Sequence, residues 1–212
     1  MIDSAHPLLL GSSSPRRREI LTTLGVPLRI AGAEVDEAGL EGEGAGAYLE
    51  RVTLAKLGAV RERREAEGAG AILVADTAVI LDGAVLGKPR DEADARAMIR
   101  ALAGREHEVW TRFAVAGPPG EAARGAEALH AETVATRVRF RALDEEEIAG
   151  YAATGEGLDK AGAYAIQGVG AFAVARIEGS YSNVVGLPAC EVIAALRRSG
   201  LLPRFPLSPA AP

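Results

Sequence analysis

The sequence predicts an α/β fold, and three observations indicate it. Short apolar runs with strand character, such as Leu8–Leu10, alternate along the chain with longer amphipathic runs of helical spacing. A chain of 212 residues is long enough for one large domain or two small lobes with a sizeable core. Aromatic residues make up only 4% of the chain and it has 25 glycines, so small side chains must fill much of that core.

The elements follow from local patterns in chain order. Ser14 suits a helix N-cap, Pro15 the first helical position and Gly25 the residue after the last turn. Asp82-Gly83 is typical of a two-residue hairpin turn. The predicted strands are Leu8–Leu10, Leu28–Ala31, Gly70–Ala75, Ala78–Leu81, Ala84–Leu86, Val109–Ala116, Glu132–Phe140 and Ala171–Ile177. The predicted helices are Pro15–Leu24, Ala47–Ala66, Asp91–Ala103, Asp144–Ala153 and Ala189–Arg198.

The domain is expected to span residues 1–202, and the remaining residues 203–212, with four prolines, are expected to form a disordered tail. The single cysteine, Cys190, excludes an internal disulfide and fits a reducing compartment. Because Cys190 lies in a helical run, we expect it to be a buried structural thiol. No signal peptide and no apolar run of about 20 residues is evident.

The net charge limits the kinds of ligand that the protein is expected to bind. The net charge of −5 argues against nucleic acid as a ligand, since a polyanion would be repelled by the whole molecule. We therefore expect a cytoplasmic protein that binds a small anionic ligand and neither nucleic acid nor membranes. A homodimer is compatible with the sequence.

One basic segment stands out on this acidic chain, the run Ser12-Ser13-Ser14-Pro15-Arg16-Arg17-Arg18. It places arginines in the first turn of a helix, where cations oppose the positive end of the helix dipole. Backbone N–H groups, hydroxyls and guanidinium groups that converge in this way form a phosphate site. A solvated basic turn on a surface helix is the alternative, and this segment alone does not decide between the two.

Two further residues carry charge in apolar surroundings. Lys56 lies on the helical row Leu49, Val52, Lys56 and Val60, and periodicity alone favours an ammonium group that reaches past the helix to solvent over one that points into a cleft. Asp76 follows the apolar run 71–75 and is expected at or near the end of a buried strand. A carboxylate there is costly unless it is paired, binds a metal or works at a cleft.

The other candidate site residues can each be explained without a functional role. Asp36 and Glu37 are adjacent carboxylates that could hold a hard divalent cation, although adjacent acids usually form a solvated loop. Lys88 is otherwise a surface charge, and Gln167 could recognise a base edge or satisfy a loop backbone. The three histidines lack metal-ligand spacing, which argues against zinc. Cations for phosphate, carboxylates for a metal and a carboxylate base together suit cleavage of a phosphoanhydride.

Several segments in a fixed order resemble the Maf proteins, a family of nucleoside triphosphate pyrophosphatases first named for septum inhibition. The resemblance covers about Leu8 to Gly200. The segments that carry it are Ser12–Arg17, Glu34–Glu37, Ala55-Lys56, Ala75–Val79, Gly87–Pro89, Asp159–Gly168, Gly179–Tyr181 and Val185–Pro188. The family implies a two-lobed mixed sheet with flanking helices around a deep cleft, similar to inosine triphosphatase. The main departure is the segment Gly117–Ala131, which is longer than usual.

The resemblance also implies a reaction, the hydrolysis of a nucleoside triphosphate between its α- and β-phosphates with Mg²⁺ or Mn²⁺. Asp76 matches the family's proposed proton acceptor. Our hypothesis is that Glu37 and Asp76 hold the metal, and the sequence does not decide whether Asp76 is the base, a metal ligand or both in turn. Lys56 and Lys88 are implied catalytic lysines, which places Lys56 in the cleft. The implied substrate-binding residues are Ser12, Arg16, Arg17, Thr77 and Gln167.

Three of these positions separate two branches of the family. The branch that acts on 7-methyl-GTP carries Trp, Gln and Glu where this chain has Arg16, Thr77 and Gln167. The chain therefore resembles the dTTP/UTP branch. The main rival hypothesis is a non-catalytic, nucleotide-binding regulator of septum formation and cell division.

Overall fold

A mixed β-sheet lies at the centre of the molecule. The computed structural model describes residues 1–118 and 130–207, and within them the sheet has seven strands. The strands are β1 (Leu8–Leu10), β2 (Leu28–Ile30), β3 (Ala71–Leu81), β4 (Ala84–Leu86), β5 (Glu106–Ala116), β6 (His130–Phe140) and β7 (Val174–Glu178). Their order is β2-β1-β3-β5-β6-β7, and β4 pairs with β3. Strands β2, β1 and β3 run parallel and the other pairings are antiparallel, so the predicted α/β class is confirmed.

Helices pack on this sheet, and all of those described except the one at Tyr181–Val185 lie near predicted positions. They are α1 (Pro15–Thr23), α2 (Ala45–Arg61), α3 (Glu92–Leu102), α4 (Glu145–Ala153), α5 (Tyr181–Val185) and α6 (Ala189–Arg198). Local chemistry explains where they begin: Asp91 accepts a hydrogen bond from the backbone of Asp94, and Asp144 forms a capping box with Glu147. The expected helix 47–66 ends at Arg61, and a short 3₁₀ turn, Arg64–Ala66, follows it. The expected strand over 171–177 begins only at Val174, after a second 3₁₀ turn.

Four apolar core clusters of the described residues pack along β3. Two of them contain residues from 71–75, one against α1 and α6 and the other against α2. The other two contain residues from 78–81, one against α3 and α4 and the other against the start of α2. Asp76 and Thr77 belong to none of the four. The burial pattern therefore leaves a junction between apolar cores in the middle of one strand.

The position of Asp76 corrects a prediction. It lies in the middle of the continuous strand β3 and not at a strand end, because β5 pairs along β3 from Ile72 to Ile80. On the opposite edge of β3 the pairing is interrupted. There β1 pairs with residues 71–73, and β4 pairs with residues 79–81. Asp76 and Thr77 thus lie at a gap between two neighbouring strands, where side chains and backbone are open to a cleft.

The cysteine differs from expectation, whereas the disordered tail stays a prediction. Within residues 203–207, Phe205 and Leu207 are partly buried against the cluster around α6, and residues 208–212 are outside the described residues. Cys190 is free and exposed, because α6 turns Val192 and Leu196 inward and Cys190 to the surface. Most of the long segment 117–131 is also outside the described residues. No helix of the described chain is both long enough and apolar enough to cross a membrane.

Candidate functional site

A cleft of about 560 Å³ opens at the gap in the sheet between β1 and β4. Its walls come from the turn before α1, the chain after β2, helix α2, strand β3, the chain after β4, and the segments on either side of the 3₁₀ turn Ala161–Ala163. The structure brings together every residue that the sequence assigned to the site. The residues are Ser12, Arg16, Arg17, Glu37, Lys56, Asp76, Thr77, Lys88 and Gln167.

Lys56 is the centre of a buried charge cluster. Its Nζ lies 2.6 Å from Oδ1 of Asp76 and 2.6 Å from Oε1 of Glu37. Lys56 is only 6% exposed and Asp76 only 7%. The side chain of Asp76 points to the face of β3 on which α2 packs, since side chains alternate along a strand and Ile72 and Val74 also contact α2 residues. The expectation from periodicity that Lys56 reaches solvent was wrong, and the cleft-facing orientation implied by the resemblance was right.

Glu37 connects this cluster to a second lysine. Its Oε2 lies 3.3 Å from Nζ of Lys88, which is otherwise exposed. Burial raises the pKa of Glu37, but the hydrogen bond and charge of Lys56, followed by Lys88, outweigh it and hold that pKa below its usual value. The neighbouring Asp36 is exposed and accepts a hydrogen bond from the backbone of Ala38, so the two adjacent carboxylates do not act together.

Glu37 and Asp76 are the acidic side chains of the charge cluster that a divalent metal could use. No group of three or more His, Cys, Asp or Glu side chains placed to hold a metal occurs in residues 1–118 and 130–207. Two carboxylates, Glu37 and Asp76, flank one ammonium group in the cleft. Mg²⁺ is commonly held by one or two carboxylates and completed by substrate phosphates and water. The residues therefore fit a hard cation that reaches the site together with a phosphate ligand.

Arg17 is buried, and its guanidinium group donates hydrogen bonds to other groups of the protein. Nε donates to the carbonyl oxygen of Gly186, Nη1 donates to Ser12 Oγ and the carbonyl oxygen of Ala75, and Nη2 donates to Thr77 Oγ1, at 2.8–3.1 Å. These bonds join α1 to the open edge of β3 and to the turn after α5. Phosphate binding by Arg17 remains a prediction, but its contacts support a role in fixing the walls of the cleft.

Ser12 is oriented by two donors. Its Oγ accepts from Arg17 Nη1 at 3.1 Å and from the backbone N–H of Ser14 at 3.2 Å. A hydroxyl oxygen has two lone pairs and one proton to donate. With both lone pairs engaged, the hydroxyl proton of Ser12 is left to serve an acceptor in the cleft that Ser12 lines.

Arg16 and Lys88 supply the accessible positive charge. Nη1 of Arg16 lies 3.5 Å from Oδ2 of Asp159 across the cleft, and the side chain of Arg16 is 26% exposed. The side chain of Lys88 is 61% exposed. Neither cation is enclosed, so both can turn toward an entering anion.

The cleft also has apolar lining residues and one amide. Val79, Leu86, Tyr164 and Ile166 line it, and the exposed Gln167 directly follows Ile166. Such a surface suits a planar ring that is held by apolar contact and recognised by one polar group. Thr77 Oγ1 lies 2.9 Å from Thr111 Oγ1 and accepts from Arg17, so it is part of the cleft wall.

Among the lining residues that sequence reasoning missed is Tyr48. A signal was present, because Tyr48, Val52 and Lys56 are spaced by four residues and so share one face of α2. Burial raises the pKa of Tyr48 to about 12, which keeps its hydroxyl neutral beside Glu37 and Asp76.

The chain is similar to known proteins along almost its whole length. The family described as Maf-like protein matches residues 7–199. A dTTP/UTP pyrophosphatase of Anaeromyxobacter sp. (strain Fw109-5) is 51% identical over 196 residues, which are 92% of this chain and 91% of that protein. One from Myxococcus xanthus is 49% identical, covering 92% and 93%, and one from Geotalea uraniireducens is 44% identical, covering 95% and 100%. The Staphylococcus aureus Ham1 protein matches with a TM-score of 0.38 and 13% identity, over 62% of this chain and 69% of that one.

Proposed function

Because the chain belongs to the Maf-like protein family, we propose that it hydrolyses dTTP and UTP between the α- and β-phosphates, giving a nucleoside monophosphate and pyrophosphate. It is an enzyme of the hydrolase class, as its curated relatives at about 50% identity are named dTTP/UTP pyrophosphatases. The observation that carries the mechanism is the buried carboxylate of Asp76, paired with Lys56 at 2.6 Å in a cleft lined by further cations.

The triphosphate is bound by groups that converge on the mouth of the cleft. Arg16 and Lys88 are free to turn to phosphate oxygens, and Ser12 donates its hydroxyl proton to another. Each charge-assisted hydrogen bond of this kind contributes about 1.5–3 kcal/mol. Arg16 exchanges its contact with Asp159 for the ligand, so binding costs the protein one partly exposed ion pair.

Asp76 acts as general base. It takes one proton from a water molecule, the water oxygen forms a bond to the α-phosphorus, and the bond from that phosphorus to the bridging oxygen breaks with release of pyrophosphate. Lys56 holds the Asp76 carboxylate in one orientation and offsets the charge of Asp76 and Glu37. A divalent cation held by Glu37 and Asp76 would supply charge neutralisation at the triphosphate.

Replacing Glu37 by Gln is expected to raise the Mg²⁺ concentration for half-maximal activity by about tenfold, because one of two carboxylate ligands loses its charge. The measurement is a Mg²⁺ titration of turnover at saturating dTTP. Glu34→Gln is the matched control, since Glu34 is an exposed acid just before this segment that does not line the cleft. An unchanged titration for Glu37→Gln would remove Glu37 from the metal site.

The base is recognised at Gln167. A glutamine amide offers both a donor and an acceptor, which matches the O4 and N3–H edge of thymine and uracil. A glutamate would be acceptor-only and suits the donor edge of guanine. Arg16 disfavours a positively charged 7-methylated purine by repulsion.

The test of the proposed function is kcat/KM for dTTP, UTP, CTP and 7-methyl-GTP, measured on the wild type and on Gln167→Glu. We expect the wild type to prefer dTTP and UTP, and the variant to lose about tenfold or more of that preference, because one complementary hydrogen bond becomes a repulsive contact. A wild type that prefers 7-methyl-GTP would overturn the assignment. Binding of dTTP without any turnover would support the regulator hypothesis in its place.

A further inference from the structure

Two residues outside the cleft, Glu156 and Tyr151, hold the segment that carries Gln167 by hydrogen bonds on both sides of that residue. Oε1 of Glu156 accepts the backbone N–H of Val169 at 2.8 Å, and Oε2 accepts that of Gly170 at 2.8 Å. The hydroxyl of Tyr151 donates to Oε2 of Glu156 at 2.8 Å and accepts the backbone N–H of Ala165 at 3.1 Å. Residues 166–168 lie between these attachment points.

The backbone of this segment packs closely against the side chains of Glu156 and Tyr151. Gly168 has φ +89°, and a Cβ atom there would lie 2.1 Å from Oε1 of Glu156. A Cβ atom on Gly170 would lie 2.5 Å from the Tyr151 hydroxyl. The path of the backbone on either side of Gln167 is therefore set by contact with the two side chains as well as by hydrogen bonds.

The chemistry of the pair suits this task. A carboxylate can accept N–H and O–H donors on both of its oxygens, whereas an amide of the same shape accepts on only one end and donates from the other. Burial raises the pKa of Glu156, but the hydrogen bonds from Gly170, Tyr151 and Val169 outweigh it and hold that pKa below its usual value. Glu156 is thus an acceptor at neutral pH. Tyr151 is 4% exposed, and its ring packs in the cluster around α4, which anchors the hydroxyl.

We propose that Glu156 and Tyr151 are positioning residues for base selectivity, because they fix the segment 165–170 so that the Gln167 amide faces the base edge. This inference rests on the proposed function, in which Gln167 recognises the base. Neither Glu156 nor Tyr151 lines the cleft, so both act through the loop and not by touching the substrate.

The test compares Glu156→Gln with the wild type in kcat/KM for UTP and CTP, which share sugar and phosphates and differ only in the base edge. We expect the UTP to CTP ratio to fall about tenfold, the effect of misplacing one selective hydrogen bond. Inhibition by pyrophosphate should change less than twofold, since the phosphate end of the cleft is untouched. Hydrogen exchange at the amides of Val169 and Gly170 should become faster.

Two more variants make the result decisive. Glu147→Gln is the matched control, because Glu147 lies on α4 with Tyr151, also accepts a backbone N–H, and does not line the cleft. Tyr151→Phe keeps the ring in the core and removes only the hydroxyl, and it should lower the ratio if Glu156→Gln fails to fold. A folded Glu156→Gln with the wild-type ratio would overturn the positioning role. If the wild type hydrolyses no triphosphate, the proposed function fails by itself, and the positioning role is judged by the same ratio of UTP and CTP dissociation constants.

Discussion

Replacing Asp76 by Asn is expected to lower kcat for dTTP by about 10²–10⁴-fold, the usual contribution of a general base. Asparagine has nearly the same shape, but its amide cannot take a proton from water. Lys56 keeps its contact with Glu37 in this variant, so the buried ammonium group still has a carboxylate partner. We therefore expect the fold and the binding of dTTP to be retained, and steady-state kinetics together with a thermal melt check both.

Asp82→Asn is the control for this change. Asp82 lies in the turn between β3 and β4. It is exposed and pairs with Arg105 away from the cleft. It makes the same chemical substitution without touching the site, and activity should stay near that of the wild type. An Asp76→Asn enzyme that kept more than about a tenth of the wild-type kcat would show that Asp76 is not the base.

Replacing Lys56 by Met should reduce both activity and stability. The methionine fills the space of the lysine stem, but Asp76 and Glu37 lose the cation between them. Breaking a buried ion pair by removing one partner costs about 3 kcal/mol, or about 6–12 °C in Tm for a domain of this size. Turnover should fall about 100-fold, because Asp76 is no longer held in place and the site carries excess negative charge.

The double variant Lys56→Met/Asp76→Asn separates the two effects. It removes the unpaired buried carboxylate, so its Tm should lie above that of Lys56→Met alone, while its activity should be no higher. Thermal melts of the single and double variants measure this coupling. A Lys56→Met protein with normal kinetics and a normal Tm would show that the ion pair has neither role.

Much of the fold could be predicted from local patterns. The predicted helices 91–103 and 144–153 begin at the residues that cap the observed helices, and the hairpin turn at Asp82-Gly83 was recognisable from two residues. These features depend on neighbours in sequence, so the sequence alone contains the information. Strand pairing, in contrast, depends on residues that are far apart in sequence. That Asp76 lies in the middle of β3, at a gap between β1 and β4, depends on how far two other strands extend along it.

The functional site, too, could be predicted only in part from the sequence. Residue types and their order indicated phosphate, metal and base functions, but not which partner each side chain would meet. Lys56 turns inward because Glu37 and Asp76, one before it and one after it in the chain, converge on its ammonium group. Arg17 is occupied by Gly186, which lies 169 residues away. Glu156 carried no local signal, because its acceptor role depends on a loop that folds back onto it.

The most direct test of the central claim is to hydrolyse dTTP in H₂¹⁸O with Mg²⁺ and to locate the label by ³¹P NMR and mass spectrometry. Water activated by Asp76 attacks the α-phosphorus in this account, so ¹⁸O should appear in thymidine monophosphate and the other product should be unlabelled pyrophosphate. Label in pyrophosphate, or products of thymidine diphosphate and inorganic phosphate, would contradict it.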